Sequence, residues 1–423
     1  MDARTARGYK KEDWVKLASD IEDKIEGRLF INGEYVDAED GGVIEVINPA
    51  TNEVCGTCAA GTVKDIDKAV AAAKESYKAR TWLKMAPRKR MNIMMKFSDL
   101  VKKNTAELAL LDSLNMGKPI SDCVSVDVPA SAVTIRFMAE CIDKIYGKVA
   151  NTHEKALNLS IREPYGVVGL ISPWNYPLLM GVWKLAPALA AGNSIVLKPD
   201  EHSPHSLIKL AQLFVEAGGP PGVFNVVSGH GEEAGQALAL HQDVSKIGFT
   251  GSTEVGKLLL QYAGQSNMKK VSLETGGKSP MIYFADLPDM DLAVETAYDS
   301  IYANMGEVCN AGSRIYVERS IYSDFVDQFV AQGQGAYTPG DPLDPETNMG
   351  PLVNAQAQER VLGFIESGKK ERASLKFGGN IPACLDGGFY VCVVYTANVA
   401  DDSLTYDPSR PSELERAMLD VRL

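Results

Sequence analysis

The chain has 423 residues, a length that favours about two to three domains. Hydrophobic residues make up 45% and charged residues 23%, as in globular proteins, and 37 glycines with 21 prolines are too few for a collagen-like or low-complexity chain. The formal net charge of −12 argues against binding to nucleic acid or to anionic membranes, because an acidic surface repels phosphate groups.

The first third of the chain is predicted to contain one tight hairpin followed by helices. Residues 1–27 are rich in charge and predict a short surface helix. Asn32-Gly33 stands between alternating apolar residues, which is a strong signal of a two-residue hairpin turn. Residues 62–147 carry apolar side chains at spacings of three and four and therefore predict a series of helices.

The pattern of apolar residues and cysteines favours a cytoplasmic protein. No stretch of about eighteen apolar residues is free of charges, proline and asparagine, so no membrane span is predicted. The N-terminus lacks the apolar segment of a secretory signal. An odd count of 7 cysteines suits reduced thiols.

Residues 166–274 predict a parallel sheet. Four amphipathic segments alternate there with five short apolar runs, which read VVGLI, SIVLKP, VFNVV, KIGF and KVSLE. Strands and helices that alternate at this spacing form crossover units and a doubly wound sheet. Such sheets bind ligands beyond the carboxyl ends of their strands. Most of the chemically interesting residues follow those ends.

Two glycine motifs in this region are candidates for phosphate binding. Gly231 and Gly235 belong to a pattern that misses the dinucleotide fingerprint by one position, so an ordinary strand-to-helix turn is the alternative. Gly251-Ser252 leaves a strand and opens a helix, where backbone amides point at an anion. The alternative is that Ser252 or Thr253 only caps the helix.

Three residues are candidates for covalent catalysis. Cys309 lies among small residues that leave room for a substrate, although an isolated cysteine is more often a buried apolar residue. Asn175 follows a strand end and could donate a hydrogen bond to an oxyanion. Glu274 ends a strand before two glycines and could act as a base, with a salt-bridged surface glutamate as the alternative.

Other polar residues have simpler interpretations. Lys198 and Glu201 follow the second strand, where a carboxylate could accept hydrogen bonds from ribose hydroxyls. Cys55 and Cys58 form a CxxC without the partners that zinc or redox chemistry needs, so they are predicted to be structural. The five histidines are scattered singly and are interpreted as surface residues, so no metal site is predicted.

Five motifs in order resemble the NAD(P)-dependent aldehyde dehydrogenase superfamily: ISPWNYPLLM, GNSIVLKPDEHSP, FTGSTEVG, LETGGKSP and GEVCNAGSR. The resemblance extends from about residue 28 to about residue 402. Within the family, RLFINGEY, LNMGKPISDCVSVDVPASA and IDKIYGKVA are most similar to the ω-amino-aldehyde branch. Members of that branch oxidise 4-guanidinobutyraldehyde or γ-glutamyl-γ-aminobutyraldehyde in polyamine and arginine breakdown.

The resemblance implies a role for each matching residue. Cys309 matches the nucleophile that forms a thiohemiacetal and then a thioester, and Asn175 matches the oxyanion donor. Glu274 matches the base that activates water, and Lys184 a supporting lysine. The matching cofactor-binding positions are Ile171, Trp174, Lys198, Glu201, Gly231, Gly235, Gly251 and Ser252, and the matching substrate-lining positions are Tyr176, Met180 and Trp183.

The expected ligands are a small aldehyde and NAD. Glu201 leaves little room or charge tolerance for a 2′-phosphate, so NADP is less favoured. Asp122 and Asp127 are either contacts for a cationic substrate or solvated helix charges.

The implied fold is α/β and aldehyde-dehydrogenase-like. Residues 28–276 form a Rossmann-type NAD domain with a β-hairpin arm near 149–163, and residues 277–402 form an incomplete α/β catalytic domain. Residues 1–27 are an extension, and residues 403–423 are unlike the family. A homodimer or homotetramer is expected, although the missing final strand compromises it. The alternative function is that of a truncated, catalytically impaired homologue that only binds partners, or a frameshifted product.

Overall fold

The computed structural model describes residues 3–397, apart from residues 372, 386 and 393. They form two compact units. The first contains the chain up to Ile47, Val54–Met116 and Ile120–Thr275, and the second contains Asn48–Glu53, Gly117–Pro119 and the chain from Gly276 onward. The prediction that residues 403–423 are unlike the family lies outside the described residues.

The elements follow each other in a regular order along the chain. Up to Thr275 they are α1 Ala3–Ala6, α2 Lys11–Ile21, β1 Leu29–Ile31, β2 Glu34–Val36, β3 Val43–Asn48, β4 Glu53–Ala59, α3 Val63–Ala79, α4 Pro87–Lys103, α5 Thr105–Met116, α6 Ile120–Asp122, α7 Val128–Cys141, β5 Lys148–Ala150, β6 Asn158–Ser160, β7 Val167–Ile171, α8 Pro177–Ala191, β8 Ser194–Lys198, α9 His205–Glu216, β9 Phe224–Val226, α10 Gln236–Leu240, β10 Lys246–Gly251, α11 Thr253–Gln265 and β11 Lys270–Thr275. From Gly276 on they are β12 Pro280–Tyr283, α12 Met290–Tyr302, β13 Arg314–Val317, α13 Tyr322–Ala336, α14 Ala355–Lys370, β14 Ser374–Phe377 and β15 Tyr395–Ala397.

A seven-stranded sheet organises the first unit, in the order β11-β10-β7-β8-β9-β1-β2. Strands β7 to β11 are parallel, which confirms the parallel sheet predicted from the alternating pattern. Strands β7, β8 and β9 are buried along their whole length, and for this reason their sequences are nearly continuous apolar runs. The chain runs outward from β7 through β8 and β9 and then returns to place β10 on the other side of β7. A crevice for ligands is expected at this reversal.

The predicted hairpin is also confirmed. Strands β1 and β2 pair antiparallel across Asn32 and Gly33, whose φ angles are 57° and 88°. Both residues are left-handed, as a two-residue turn of this kind requires. Phe30 pairs with Val226, so the hairpin extends the parallel sheet at the β9 edge.

The helices predicted between residues 62 and 147 are present as α3 to α7. Helix α3 begins where the backbone N–H and hydroxyl of Thr62 donate to the Asp65 carboxylate, at 2.9 and 3.0 Å. A π-helical turn, Cys123–Asp127, interrupts the helical run before α7. Asp127 lies in that turn and is 1% exposed, so the prediction of a solvated charge is wrong for this residue.

Helix α2 is present as predicted, but it is more than a surface element. Its Trp14 is buried, and the ring of Tyr9 packs edge-on against it with 5.1 Å between centroids. A large aromatic side chain buried in this way anchors the helix.

The second unit is built around a short parallel pair. Strands β12 and β13 pair from Pro280↔Arg314 to Tyr283↔Val317. Phe325 and Phe329 of α13 are fully buried in this unit. The segment between α12 and β13 carries Cys309.

Candidate active site

The carboxyl ends of the parallel strands bring several predicted residues to one edge of the sheet. Ile171 ends β7 and pairs with Lys198, the last residue of β8. On the other side, Phe249 of β10 pairs with Ile171, and Thr250 pairs with Glu274 of β11. The topology therefore collects residues that are up to about one hundred positions apart in the chain.

The loop after β7 is held by hydrogen bonds at both ends. The N–H of Ser172 donates to the Lys198 carbonyl at 3.1 Å. The N–H of Leu178, in the first turn of α8, donates to the carboxylate of Asp112 at 3.3 Å, and Asp112 is 1% exposed. Asn175 lies between these two anchors and is half-buried. Sequence reasoning missed Asp112, because no local pattern links a residue of α5 to a loop more than sixty positions later.

Helix α8 presents the predicted substrate-lining residues on one accessible face. Tyr176, Met180, Trp183 and Lys184 recur at helical spacing, and none of them is buried. Trp183 is 56% exposed, unusually high for a tryptophan. The Lys184 ammonium donates to the Met180 carbonyl at 3.1 Å.

Lys198, Glu201 and His230 form an ionic cluster beyond β8. The buried Lys198 ammonium donates to the Glu201 carboxylate at 3.1 Å and to the Pro199 carbonyl at 3.0 Å. The other Glu201 oxygen lies 3.8 Å from His230 Nδ1. The cluster thus holds Glu201 between two nitrogens.

The two predicted glycine motifs differ in their surroundings. Gly231 begins a π-helical turn that ends at Gly235, and a Cβ added at Gly231 would meet no atom within 4 Å. Space is therefore open beside this turn. Gly251 instead ends β10, and a Cβ there would come within 2.4 Å of the Phe249 ring. Packing against Phe249 therefore explains Gly251 without any ligand.

Ser252 caps helix α11, as the alternative interpretation held. Its hydroxyl oxygen accepts a hydrogen bond from the Val255 N–H at 3.2 Å. Capping by Ser252 does not exclude the binding of an anion at the start of α11. The helix has 13 residues, and the N–H groups of its first turn still point outward.

Two buried hydroxyls at the reversal of strand order suit a polar ligand. The hydroxyls of Ser172 and Thr250 are buried and have no hydrogen-bond partner within the described part of the chain. They directly follow the paired residues Ile171 and Phe249 on neighbouring strands. Buried polar groups are usually hydrogen-bonded, so these two orphaned hydroxyls fit a site completed by a polar cofactor.

Glu274 is exposed near the end of the edge strand β11. It makes no ion pair with any of the residues that the structure describes. No described residue therefore supports the alternative of a salt-bridged surface glutamate.

Cys309 is exposed in the second unit, so the alternative of a buried apolar cysteine is wrong. The chain reaches it through three consecutive left-handed residues, Asn304, Met305 and Gly306, with φ angles of 51°, 58° and 76°. Such conformations are costly for non-glycine residues and tend to occur at functional sites. The backbone at Gly277 lies close to Cys309, since a Cβ atom added at Gly277 would be 3.6 Å from the Cys309 carbonyl oxygen.

Glu307 is a second residue that sequence reasoning missed. One of its carboxylate oxygens accepts a hydrogen bond from the Val353 N–H at 3.2 Å. Burial raises the pKa of Glu307 to about 8, while the Val353 N–H, Arg360 and Lys118 act in the opposite direction. The sequence did contain one signal for Glu307, because an acidic residue stands there two positions before the candidate nucleophile Cys309.

The stability of the protein is expected to fall between pH 4.5 and about 8 because of Glu307. The pKa of Glu307 in the folded state is raised from 4.5 to about 8, so the folded state favours the neutral carboxyl. This contribution to the free energy of unfolding is complete below pH 4.5 and is lost as the pH rises towards 8. Glu307→Gln keeps a neutral side chain at every pH. Between pH 4.5 and 8.5 its free energy of unfolding is expected to rise by about 2–4 kcal/mol relative to that of wild type. Thermal unfolding across this range measures it, with the exposed Glu295→Gln as control. Parallel curves for Glu307→Gln and wild type would contradict the prediction.

The structure corrects the prediction for His205 and agrees with the prediction for Cys55 and Cys58. His205 was expected at the surface, but it is 1% exposed. Its Nε2 lies 3.0 Å from the Thr57 carbonyl, and burial lowers its pKa to about 4. Cys55 and Cys58 are free thiols whose pKa burial raises to about 12, in agreement with a structural role.

Two negative findings apply to the part of the chain that the structure describes. No group of three or more His, Cys, Asp and Glu side chains there is arranged to hold a metal ion. None of the helices there has the length and apolar character to cross a membrane.

Comparison with known proteins gives a consistent result. The sequence profile of the aldehyde dehydrogenase family matches residues 35–407. The chain is 48% identical over 356 residues to the NADP/NAD-dependent aldehyde dehydrogenase PuuC of Escherichia coli, covering 84% of this chain and 72% of that protein.

Solved structures show the same similarity. The γ-glutamyl-γ-aminobutyraldehyde dehydrogenase of Burkholderia cenocepacia matches with a TM-score of 0.89 and 47% identity, over 92% of this chain and 78% of that one. An indole-3-acetaldehyde dehydrogenase in complex with NAD⁺ matches with a TM-score of 0.90 and 46% identity, over 92% of this chain and 78% of that one.

Proposed function

The chain belongs to the aldehyde dehydrogenase family, and from this membership we propose that it oxidises ω-amino aldehydes of polyamine or arginine breakdown to carboxylic acids with NAD. As a member it is an NAD(P)-dependent oxidoreductase that acts on an aldehyde. The observation that carries the substrate class is the 47% identity to a structure named γ-glutamyl-γ-aminobutyraldehyde dehydrogenase, together with the 48% identity to PuuC.

In the proposed mechanism, Cys309 begins the reaction. Its sulfur attacks the aldehyde carbon and forms a C–S bond, and the carbonyl oxygen becomes an oxyanion. The side-chain amide of Asn175 and the N–H of Cys309 donate to that oxyanion. The exposure of the Cys309 thiol and the anchoring of the Asn175 loop by Asp112 support these roles.

The second half of the mechanism is assigned to Glu274. Bound NAD would supply the hydride acceptor, and the former aldehyde carbon would stay attached to Cys309 as a thioester. Glu274 takes a proton from water, the hydroxide attacks the thioester carbon, and the thiolate leaves. The acid, NADH and one proton are the products. The exposure of Glu274 and its lack of an ion-pair partner among the described residues support this role.

The proposed cofactor residues are those collected at the strand ends of the first unit. Lys198 and Glu201 are assigned to the adenosine ribose, and the first turn of α11 behind Ser252 to the pyrophosphate. Ile171, Trp174, Gly231, Gly235 and Gly251 complete the set, and Gly251 also packs against Phe249. NAD is preferred in this proposal because Glu201 repels a 2′-phosphate.

Substrate contacts are proposed for the accessible face of α8. Tyr176, Met180 and Trp183 would line the aldehyde path, with Lys184 in a supporting role. A cytoplasmic location is proposed because all seven cysteines are free thiols. A homodimer or homotetramer is proposed because the β5–β6 arm exposes apolar side chains such as Val149 (71%), Leu157 (74%) and Ile161 (71%).

A substrate panel tests the proposed function. We expect kcat/KM for 4-guanidinobutyraldehyde and γ-glutamyl-γ-aminobutyraldehyde to exceed that for an uncharged aliphatic aldehyde of similar length by at least about tenfold. NADH formation is the measurement, with NADP in parallel. Turnover that does not distinguish these aldehydes would refute the substrate class. Cofactor binding without turnover of any aldehyde would favour the alternative of a catalytically impaired homologue.

A further inference from the structure

The turn that carries Cys309 is attached to the rest of the second unit on both sides. The N–H of Ala311 donates to the Val308 carbonyl at 3.2 Å, so Cys309 is one of the two central residues of a tight turn. After the turn, the N–H of Gly312 donates to the carbonyl of Ser300 in α12 at 3.2 Å and to its hydroxyl at 3.1 Å. The position of the sulfur therefore also depends on what holds the chain before the turn.

Glu307 provides the attachment before the turn. Its backbone N–H donates to the Asn304 carbonyl at 2.9 Å, and the Asn304 side-chain amide donates back to the Glu307 carbonyl at 3.3 Å. One carboxylate oxygen accepts the N–H of Val353 at 3.2 Å, across 46 positions of the chain, and the other oxygen is buried. Cys309, two positions later, is exposed. The carboxyl group of Glu307 therefore lies inside the protein, while the thiol lies at the surface.

The segment that binds the carboxyl group of Glu307 is itself held in place. The N–H of Leu352 donates to the Phe389 carbonyl at 3.0 Å. Gly350 packs so closely against Gly117 that an added Cβ would lie 1.9 Å from the Gly117 carbonyl oxygen. The hydrogen bond to Glu307 therefore joins the turn to a fixed part of the second unit.

We propose that Glu307 is a positioning residue for the nucleophile: the hydrogen bond between its carboxyl group and the Val353 N–H fixes the turn in which Cys309 meets the aldehyde carbon. The inference rests on the proposed role of Cys309 and adds a residue that acts through it without touching the substrate. A displacement of reacting groups by about 1 Å can lower a rate by about 10²-fold. The proposed aldehyde contacts lie on α8, so loss of this hydrogen bond is expected to lower kcat and to leave KM nearly unchanged.

Glu307→Met and Glu307→Gln test the inference. Methionine has a similar length but is a weak acceptor for the Val353 N–H, whereas the glutamine side-chain oxygen is a good acceptor. We expect Glu307→Met to lower kcat for 4-guanidinobutyraldehyde by about 10²-fold, with KM changed by less than about threefold. We expect Glu307→Gln to keep kcat within about threefold of wild type. Initial rates of NADH formation at a series of aldehyde concentrations give both constants.

Glu318→Met is the matched control. The carboxylate of Glu318 also accepts a backbone N–H in the second unit, that of Ala285 at 2.8 Å, but it follows β13 instead of preceding the Cys309 turn. This variant removes a hydrogen bond of the same kind and is expected to keep the wild-type kcat. All rates are measured well below the unfolding temperature of each variant, so a loss of stability alone does not lower kcat.

Hydrogen exchange measures the attachment of the turn without any aldehyde. The N–H of Ala311 closes the turn, and its exchange is expected to be at least about tenfold faster in Glu307→Met than in wild type or Glu307→Gln. If the wild-type chain turns over no aldehyde, the proposed function fails, and exchange at Ala311 still decides whether Glu307 holds the turn.

Four results would overturn the inference. The first is a wild-type kcat in Glu307→Met, and the second is an equal loss of kcat in Glu307→Met and Glu307→Gln. The third is exchange at Ala311 that is the same in Glu307→Met and wild type. If Glu307→Met does not fold, Glu307→Ala takes its place, and failure of both variants to fold would give Glu307 a structural role only.

Discussion

Cys309→Ala is expected to abolish aldehyde-dependent NADH formation, lowering kcat by about 10⁴-fold or more. The thiol is the proposed nucleophile, and no thiohemiacetal or thioester can form without it. Alanine is close to cysteine in size, and the side chain is exposed, so the fold should be retained. The steady-state rate of NADH formation with 4-guanidinobutyraldehyde is the measurement.

The second exposed cysteine of the same unit provides the control for this experiment. Cys384 is also a free, exposed thiol, and Cys384→Ala is expected to keep the wild-type rate. Binding of NADH should survive in both variants, because the proposed cofactor residues lie elsewhere in the chain. A Cys309→Ala variant that keeps about one tenth of the wild-type activity would refute the role of Cys309 as the nucleophile.

Glu274→Gln is expected to separate thioester formation from hydrolysis. The first turnover should release about one NADH per active site, and the steady-state rate should then fall by about 10²- to 10⁴-fold. Glutamine keeps the size and polarity of the side chain but cannot accept a proton from water. Rapid mixing, followed by steady-state measurement on the same sample, records both phases.

An exposed glutamate on another strand is the matched control for Glu274. Glu45 lies on β3 and is also exposed, so Glu45→Gln should behave as wild type. Loss of the initial burst together with the steady-state rate would mean that Glu274 acts before the thioester forms. A steady-state rate that falls no more than about twofold would show that another group activates water.

Short-range features of this protein could be predicted well from the sequence. The Asn32-Gly33 turn was predictable because left-handed backbone conformations are cheap for these two residue types. Strands β7, β8 and β9 were predictable because strands covered on both faces need continuous apolar runs. Four of the five family motifs reach a strand end of the parallel sheet, whereas GEVCNAGSR lies between α12 and β13.

Features that depend on distant neighbours were predicted poorly. His205 reads as an isolated surface histidine, yet its ring lies against a carbonyl 148 positions away. Ser252 could be assigned to a phosphate or to a helix cap, and only the position of Val255 showed that it caps. Asp127 reads as a charge on a helix, but the π-helical turn is packed so that this side chain is buried.

The sequence by itself determined which residues are proposed for the reaction, Cys309, Asn175 and Glu274, and it predicted the alternation of strands and helices that places two of them near strand ends. Only the tertiary structure decided the burial that raises the pKa of Glu307, the anchoring of the Asn175 loop by Asp112, and the pairing of Glu201 with both Lys198 and His230. The physical reason is that residue type and local spacing are encoded within a few positions. Desolvation and charge pairing instead depend on which distant segments the fold brings within a few ångströms.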